Sequence, residues 1–146
     1  MIPISPSKIL LVEWGEALWF KEMLQDGRTI EGFSLEDPRL MSHLASDTLV
    51  ILSLAGLNTT LPECGLGVKI QERLLALFQS QSPVVAVLFG TPYALEKVPR
   101  FEGLVVAYEN EREAQEAAAE ILLGSLSPRG RLPVSILPDF PRGTGL

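Results

Sequence analysis

The stretch Pro83–Leu95, PVVAVLFGTPYAL, decides the fold of this chain. Its five consecutive apolar residues, Val84–Leu88, predict a strand that is buried on both faces, which is typical of a central strand in a parallel sheet. A Gly-Thr-Pro turn then breaks the strand and exposes a short polar loop that carries Thr91 and Tyr93. Because ligands of open α/β sheets bind at the carboxyl ends of strands, this turn is a candidate binding position.

Strand and helix patterns alternate on both sides of this stretch. Further strands are predicted at Lys8–Glu13, Thr29–Leu35, Asp47–Leu54 and Leu104–Tyr108, with a last extended piece at Leu132–Leu137. Helices are predicted at Glu16–Gln25, within Asp37–Ser46, at Gly67–Gln81 and from Asn110 to Gly124. The alternation predicts an α/β fold, a three-layer sandwich in which a mostly parallel sheet of five to six strands carries helices on both faces. We expect residues 1–7 to be a lead-in or linker and residues 8–146 to form a single α/β domain.

The composition excludes several classes of protein. With 146 residues and a formal net charge of −6, the chain lacks the clustered lysine and arginine that nucleic-acid binding needs. No apolar run reaches the ~18–20 residues of a membrane helix, and Met1–Ser7 lacks the features of a signal peptide, so we expect a soluble, cytoplasmic protein. Cys64 is the single cysteine, which excludes an internal disulfide and argues against a zinc cluster. We therefore expect neither a metal site nor a cofactor.

Carboxylates provide the candidates for catalysis. Glu63 lies in the loop after the strand Asp47–Leu54, and Glu109 follows the strand Leu104–Tyr108. Glycoside hydrolysis uses two such groups on either side of the scissile bond, so both residues are catalytic candidates. However, Glu109 stands at a helix start, where an acid also stabilises the positive end of the helix dipole, and this favours a structural role.

Two stretches resemble the C-terminal domain of glycoside hydrolase family 3, the family of β-glucosidases and β-N-acetylhexosaminidases. Val84–Leu95, VVAVLFGTPYAL, is similar to a strand of that domain followed by G-x-P-Y-x-L. Leu104–Ile136 matches its pattern of a strand, A-Y-E, an alanine-rich helix, a small-residue turn and G-[RK]-L-P-V. The stretch from Thr48 to the helix after Leu66 fits more loosely, and residues 1–47 fit only in the order of strands and helices.

The resemblance implies an α/β sandwich, for which we expect a flavodoxin-like winding, lying against a TIM barrel that carries the catalytic nucleophile. A chain of 146 residues is too short for the ~250 residues of a barrel. We therefore expect an accessory domain of a glycosidase that acts on β-glucosides or β-N-acetylglucosaminides and is inactive without a barrel. The expected partners are a TIM barrel domain or subunit, a carbohydrate ligand and a second copy in a homodimer, with no nucleic acid and no membrane. By the same resemblance, Thr91, Tyr93 and Glu109 are expected to lie near a sugar.

Two other functions remain open at this point. The chain could be a stand-alone module that binds a sugar or another small ligand, or a flavodoxin-like domain that binds a nucleotide or a flavin. The sequence of residues 65–69, GLGVK, opens a helix but lacks the spacing of a phosphate-binding loop.

Overall fold

The computed structural model describes residues 8–107 and 109–125, which form one sheet covered by helices. The strands are β1 (Lys8–Trp14), β2 (Glu31–Ser34), β3 (Thr48–Leu57), β4 (Val84–Gly90) and β5 (Gly103–Ala107). The α-helices are α1 (Leu18–Gln25), α2 (Val68–Phe78) and α3 (Arg112–Ser125). Short 3-10 helices occupy Leu40–His43, Pro62–Gly65 and Pro92–Lys97. None of the helices in this described part of the chain has the length and apolar character that a membrane crossing requires.

The five described strands all pair in parallel, in the order β2-β1-β3-β4-β5. β3 is the middle strand, and every one of its residues except Gly56 is buried. The stretch Val84–Leu88 therefore lies one place from the centre, with β3 on one side and β5 on the other. Since β3 and β4 are both apolar on both faces, their composition does not tell which of them is central. The extended piece expected at Leu132–Leu137 lies outside the described residues.

The core lies on both faces of the sheet because successive side chains of a strand point to opposite faces. One face packs against α2 and the 3-10 helices, through buried side chains that include Leu10, Val50, Leu52, Ala86 and Leu74. The other face packs against α1 and α3, through buried side chains that include Leu11, Ile51, Val87, Phe20 and Leu122. The predicted α/β sandwich is confirmed.

The connections run in two directions from the middle of the sheet. The chain passes from β1 through α1 to β2 on one side, and from β3 through α2 to β4 on the other. α1 and α2 cover opposite faces, as right-handed crossovers in opposite directions require. The reversal between β1 and β3 is the topological switch point, where sheets of this winding normally bind their ligands.

Two local predictions need correction. β3 continues to Leu57, although a loop was expected from Ala55, because both residues stay buried beyond an irregularity in the pairing that follows Leu54. Asp37 does not begin an α-helix. Its carboxylate accepts a hydrogen bond of 2.9 Å from the backbone nitrogen of Arg39, and only a 3-10 helix follows.

Candidate functional site at the carboxyl edge of the sheet

The carboxyl ends of the five described strands lie at one edge of the sheet, because the strands are parallel. We call this the carboxyl edge. The sequence-predicted site residues lie on the loops that leave it: Glu63 between β3 and α2, Thr91 and Tyr93 after β4, and Glu109 after β5. Within residues 8–107 and 109–125, no group of three or more His, Cys, Asp or Glu side chains is arranged to hold a metal ion.

The crevice between β1 and β3 is filled by the protein itself. Trp14, at the end of β1, donates a hydrogen bond of 3.1 Å from Nε1 to the carbonyl oxygen of Gly65. Gly15 has a φ of +79° and lies so close to β3 that a Cβ would collide with the carbonyl oxygen of Ala55. The indole and the close backbone approach therefore occupy the switch point where related windings bind a flavin or a nucleotide, and this geometry does not favour a nucleotide-binding function.

The loop after β3 is closed by its own backbone. The nitrogen of Asn58 donates to the carbonyl oxygen of Cys64 at 3.1 Å, and the nitrogen of Cys64 donates to Leu61 at 3.0 Å. Glu63 and Cys64 both adopt the left-handed backbone conformation, with φ of 53° and 58°, which is unfavourable for residues other than glycine. The closed loop presents Glu63 to the 3-10 helix Pro92–Lys97.

Glu63 is bound by two side chains. Its Oε2 lies 3.0 Å from Nζ of Lys97 and accepts a hydrogen bond of 3.3 Å from Nε2 of Gln71. Lys97 first, and then Gln71, lower the pKa of Glu63, and the same ion pair raises the pKa of Lys97. A general acid must keep its proton near neutral pH, so this environment suits a structural carboxylate better than a proton donor.

The turn after β4 holds Tyr93 at the surface. The nitrogen of Thr91 donates to the carbonyl oxygen of Leu57 at 3.2 Å, and Thr91 Oγ1 accepts a hydrogen bond of 3.3 Å from the nitrogen of Tyr93. The next residue, Ala94, is fully buried, whereas Tyr93 is 71% exposed. The buried alanine anchors the turn and leaves the aromatic ring of Tyr93 accessible to a ligand or a partner.

Glu109 stands at the same level of the sheet as this turn. Phe89 of β4 pairs with Ala107 of β5, so Thr91 and Glu109 each lie two residues beyond the same pair. Glu109 is exposed, and its carboxylate makes no hydrogen bond or ion pair with another residue in the described ranges. The structure thus brings Thr91, Tyr93 and Glu109 to adjacent loops, while Glu63 is engaged by Lys97.

Residues that the sequence patterns did not indicate join the loops after β1 and β5. Gln115, only 1% exposed, accepts a hydrogen bond of 3.1 Å from the nitrogen of Phe20 and donates one of 2.7 Å to Oδ1 of Asn110. Asn110 in turn donates from Nδ2 to the carbonyl oxygen of Glu16 at 3.2 Å. The available signal was the position of Gln115, which is polar yet lies seven residues before Leu122 on the buried stripe of α3.

Comparison with known sequences assigns the family. Residues 60–141, more than half of the chain, match the sequence model of the Glycosyl hydrolase family 3 C-terminal domain. The chain belongs to this family. Beta-glucosidase B of Emericella nidulans is 36% identical over 74 residues, which cover 49% of this chain and 8% of that protein. No solved structure matches the chain at a significant level.

Family membership confirms the resemblance drawn from the two sequence motifs, and the matched range includes Glu63, Thr91, Tyr93 and Glu109. The chain is thus the C-terminal domain of a glycosidase-like protein. A domain of this family normally sits with a barrel domain, which fits the expected partner. The chain spans only a small part of the length of the curated relative, so that relative is far larger than the domain described here.

Proposed function

We propose that this chain is the accessory α/β domain of a family 3 glycoside hydrolase that acts on β-glucosides or β-N-acetylglucosaminides. The observation that carries the proposal is the placement of exposed Tyr93 and exposed Glu109 on adjacent loops of the carboxyl edge, inside the range that matches the family. In this proposal the carboxyl edge faces a barrel domain and a sugar binds between the two. The similarity to a protein named beta-glucosidase supports a β-glucoside as the first substrate to test.

Each proposed contact follows from the chemistry of its side chain. The ring of Tyr93 offers an apolar face to the C–H groups of a pyranose and a hydroxyl that can donate or accept a hydrogen bond. The carboxylate of Glu109 can accept hydrogen bonds from sugar hydroxyls, and Thr91 adds a further polar group. Glu109 is preferred over Glu63 because Lys97 already holds the carboxylate of Glu63.

The same geometry supports the proposal that the chain alone does not hydrolyse glycosides. Glycosidases need two carboxyl groups on either side of the scissile bond. Of the two candidate carboxylates, Glu63 is held in an ion pair and Glu109 is exposed without such a partner in the described residues. We therefore propose that the nucleophile comes from a barrel domain.

The first measurement is hydrolysis of an aryl β-glucoside and an aryl β-N-acetylglucosaminide by the purified chain, for which we expect no turnover. Turnover that Glu109→Gln or Glu63→Gln abolishes would place a complete active site here.

The placement of the carboxyl edge is tested by adding the barrel domain of a family 3 β-glucosidase to the isotopically labelled chain. We expect amide shifts at Thr91, Tyr93 and Glu109, and weaker binding in Tyr93→Ala and Glu109→Gln. Lys69→Gln, an exposed change on α2, is the matched control and should leave binding unchanged. Shifts confined to α2, or equal losses in all three variants, would show that another face meets the barrel.

The carboxyl edge also supports self-association in the absence of a barrel. Tyr93 is 71% exposed and Leu61 is 46% exposed, and both lie on loops of this edge. We propose that two copies cover these side chains by forming a homodimer. Light scattering should then give the mass of a dimer, and addition of the barrel domain should dissociate that dimer. A monomeric mass at high protein concentration would exclude the homodimer.

A further inference from the structure

A groove runs between α1 and α3 on the outside of the helical layer. Its volume is about 510 Å³, and one stripe of residues from each helix lines it. From α1 come Trp19, Glu22, Met23 and Gln25, with Asp26 directly after the helix, and from α3 come Arg112 and Glu116, which are spaced i, i+4. Such a pair of stripes leaves room for one further segment of polypeptide.

Trp19 gives the groove an exposed aromatic wall. It is 38% exposed, although large apolar side chains are normally buried. Tryptophan is enriched among the residues that dominate binding at protein interfaces. The groove therefore offers apolar contact area that the described residues of the domain do not cover.

The carboxylates beside Trp19 have no ion-pair partner among the described residues. Arg112 Nε lies 3.1 Å from Glu116 Oε2, so the arginine that lines the groove is already paired within α3. Glu22 and Asp26 form no ion pair with any residue in 8–107 or 109–125. The α1 side of the groove thus carries two carboxylates, four residues apart, that form no ion pair within the described residues. Arg28 lies at the Asp26 end, where its Nη1 donates a hydrogen bond of 2.8 Å to the backbone carbonyl oxygen of Asp26.

We propose that this groove binds a cationic amphipathic segment of a partner protein. The segment places lysine or arginine side chains at Glu22 and Asp26 and an apolar side chain against Trp19 and Met23. A guanidinium is well suited to this position, because it can bond a carboxylate and stack on an indole at the same time. A second copy of the chain is not the proposed occupant, because the proposed homodimer uses Tyr93 and Leu61 on the carboxyl edge and not this groove. The site goes beyond the proposed function, since it lies on the helical layer and not on the carboxyl edge.

The test uses the whole chain and a fluorescein-labelled helical peptide of leucine and lysine with an amphipathic pattern. Fluorescence anisotropy should show saturable binding, and the matched peptide of leucine and glutamate should not bind. Glu22→Gln/Asp26→Asn and, separately, Trp19→Ala should each weaken binding about tenfold, because each removes one half of the recognition. In the NMR spectrum, the indole signal of Trp19 should shift on binding while that of Trp14, bonded to Gly65, stays in place.

The control is the double variant Glu36→Gln/Glu72→Gln, which removes the same two charges at exposed positions away from the groove. We expect its affinity for the leucine–lysine peptide to stay within about twofold of the unmodified chain. Equal weakening in both double variants would show attraction by net charge alone and overturn the proposal. The absence of saturable binding, equal binding of the leucine–glutamate peptide, or an unmoved Trp19 signal would also overturn it.

Discussion

The carboxylate of Glu63 and the ammonium of Lys97 lie 3.0 Å apart and join the loop after β3 to the 3-10 helix after β4. Gln71 adds a hydrogen bond from α2 to the same carboxylate oxygen. Since both loops leave the carboxyl edge, this pair fixes the loop after β3 relative to the turn that carries Tyr93. The pair therefore helps to hold the turn of Tyr93 in position, although neither Glu63 nor Lys97 is a proposed sugar contact.

Removal of this pair should lower stability in a way that depends on pH. In Glu63→Gln we expect a small loss of stability at neutral pH and low salt, because exposed ion pairs contribute little and are screened. Lys97 and Gln71 lower the folded pKa of Glu63 below its ordinary value of 4.5. The contribution of the carboxylate is thus complete above that value and is lost as the pH falls through the lowered folded pKa. Urea unfolding at about pH 7 and about pH 3 measures the difference.

The matched control for this experiment is Glu72→Gln, an exposed glutamate on α2 that forms no ion pair in the described part of the chain. Its unfolding curve should coincide with that of the unmodified chain at neutral pH. A difference between Glu63→Gln and the unmodified chain that is the same at both pH values would contradict the ion-pair account.

Replacement of the buried Ser53 by alanine should stabilise the protein. Ser53 is fully buried in β3, and its hydroxyl has no hydrogen-bond partner among the described residues. Because Ser53→Ala removes an unsatisfied polar atom, we expect the free energy of unfolding to rise by about 1 kcal/mol. Ser82→Ala is the matched control: its buried hydroxyl donates to the Ala45 carbonyl at 2.8 Å and accepts from the Ala45 nitrogen at 2.9 Å. That variant should lose about 1–3 kcal/mol in urea unfolding, and losses in both variants would contradict this interpretation.

Much of the fold could be predicted because its signals are local. The apolar run Val84–Leu88 and the alternation of strands with helices predict a parallel sheet whatever the distant partners are. The end of β3 could not be predicted in this way, since Ala55 and Gly56 resemble loop residues. What extends the strand is its pairing with β4, where Leu57 stands opposite Gly90.

The bracing of the candidate site could not be predicted because its bonds join residues far apart in sequence. Glu63 finds Lys97 on another loop, and Gln115 bonds Phe20 across 95 residues. Asn110 and Glu113 have the spacing of a capping box, yet the side chain of Asn110 bonds Gln115 and the carbonyl oxygen of Glu16. Local spacing identifies the polar groups at a helix start and leaves their tertiary partners undetermined.

Gly90 should not tolerate a side chain. Its φ is +136°, and a Cβ there would collide with the carbonyl oxygen of Leu57 on the neighbouring strand. Gly90→Ala must separate β4 from β3 at the turn that carries Tyr93, so we expect a loss of at least about 2 kcal/mol. Gly124→Ala in α3 is the control, because its added Cβ meets no described residue within 4 Å. Thermal unfolding should show Gly124→Ala to be neutral or more stable by up to about 1 kcal/mol, and equal stability of the two variants would contradict the steric account.

Gln115 should be needed to hold α1 and α3 together. Phe20 lies in the first turn of α1, where backbone nitrogens have no partner within the helix, and Gln115 Oε1 supplies one at 3.1 Å. Gln115→Leu keeps the apolar bulk but leaves that nitrogen and Asn110 Oδ1 without this partner, so we expect a loss of about 2–3 kcal/mol. Gln115→Glu keeps an acceptor for Phe20 and loses the donor to Asn110. Hydrogen exchange at the Phe20 amide should therefore accelerate strongly in Gln115→Leu and less in Gln115→Glu. Little acceleration in both variants would show that Gln115 acts only by filling space.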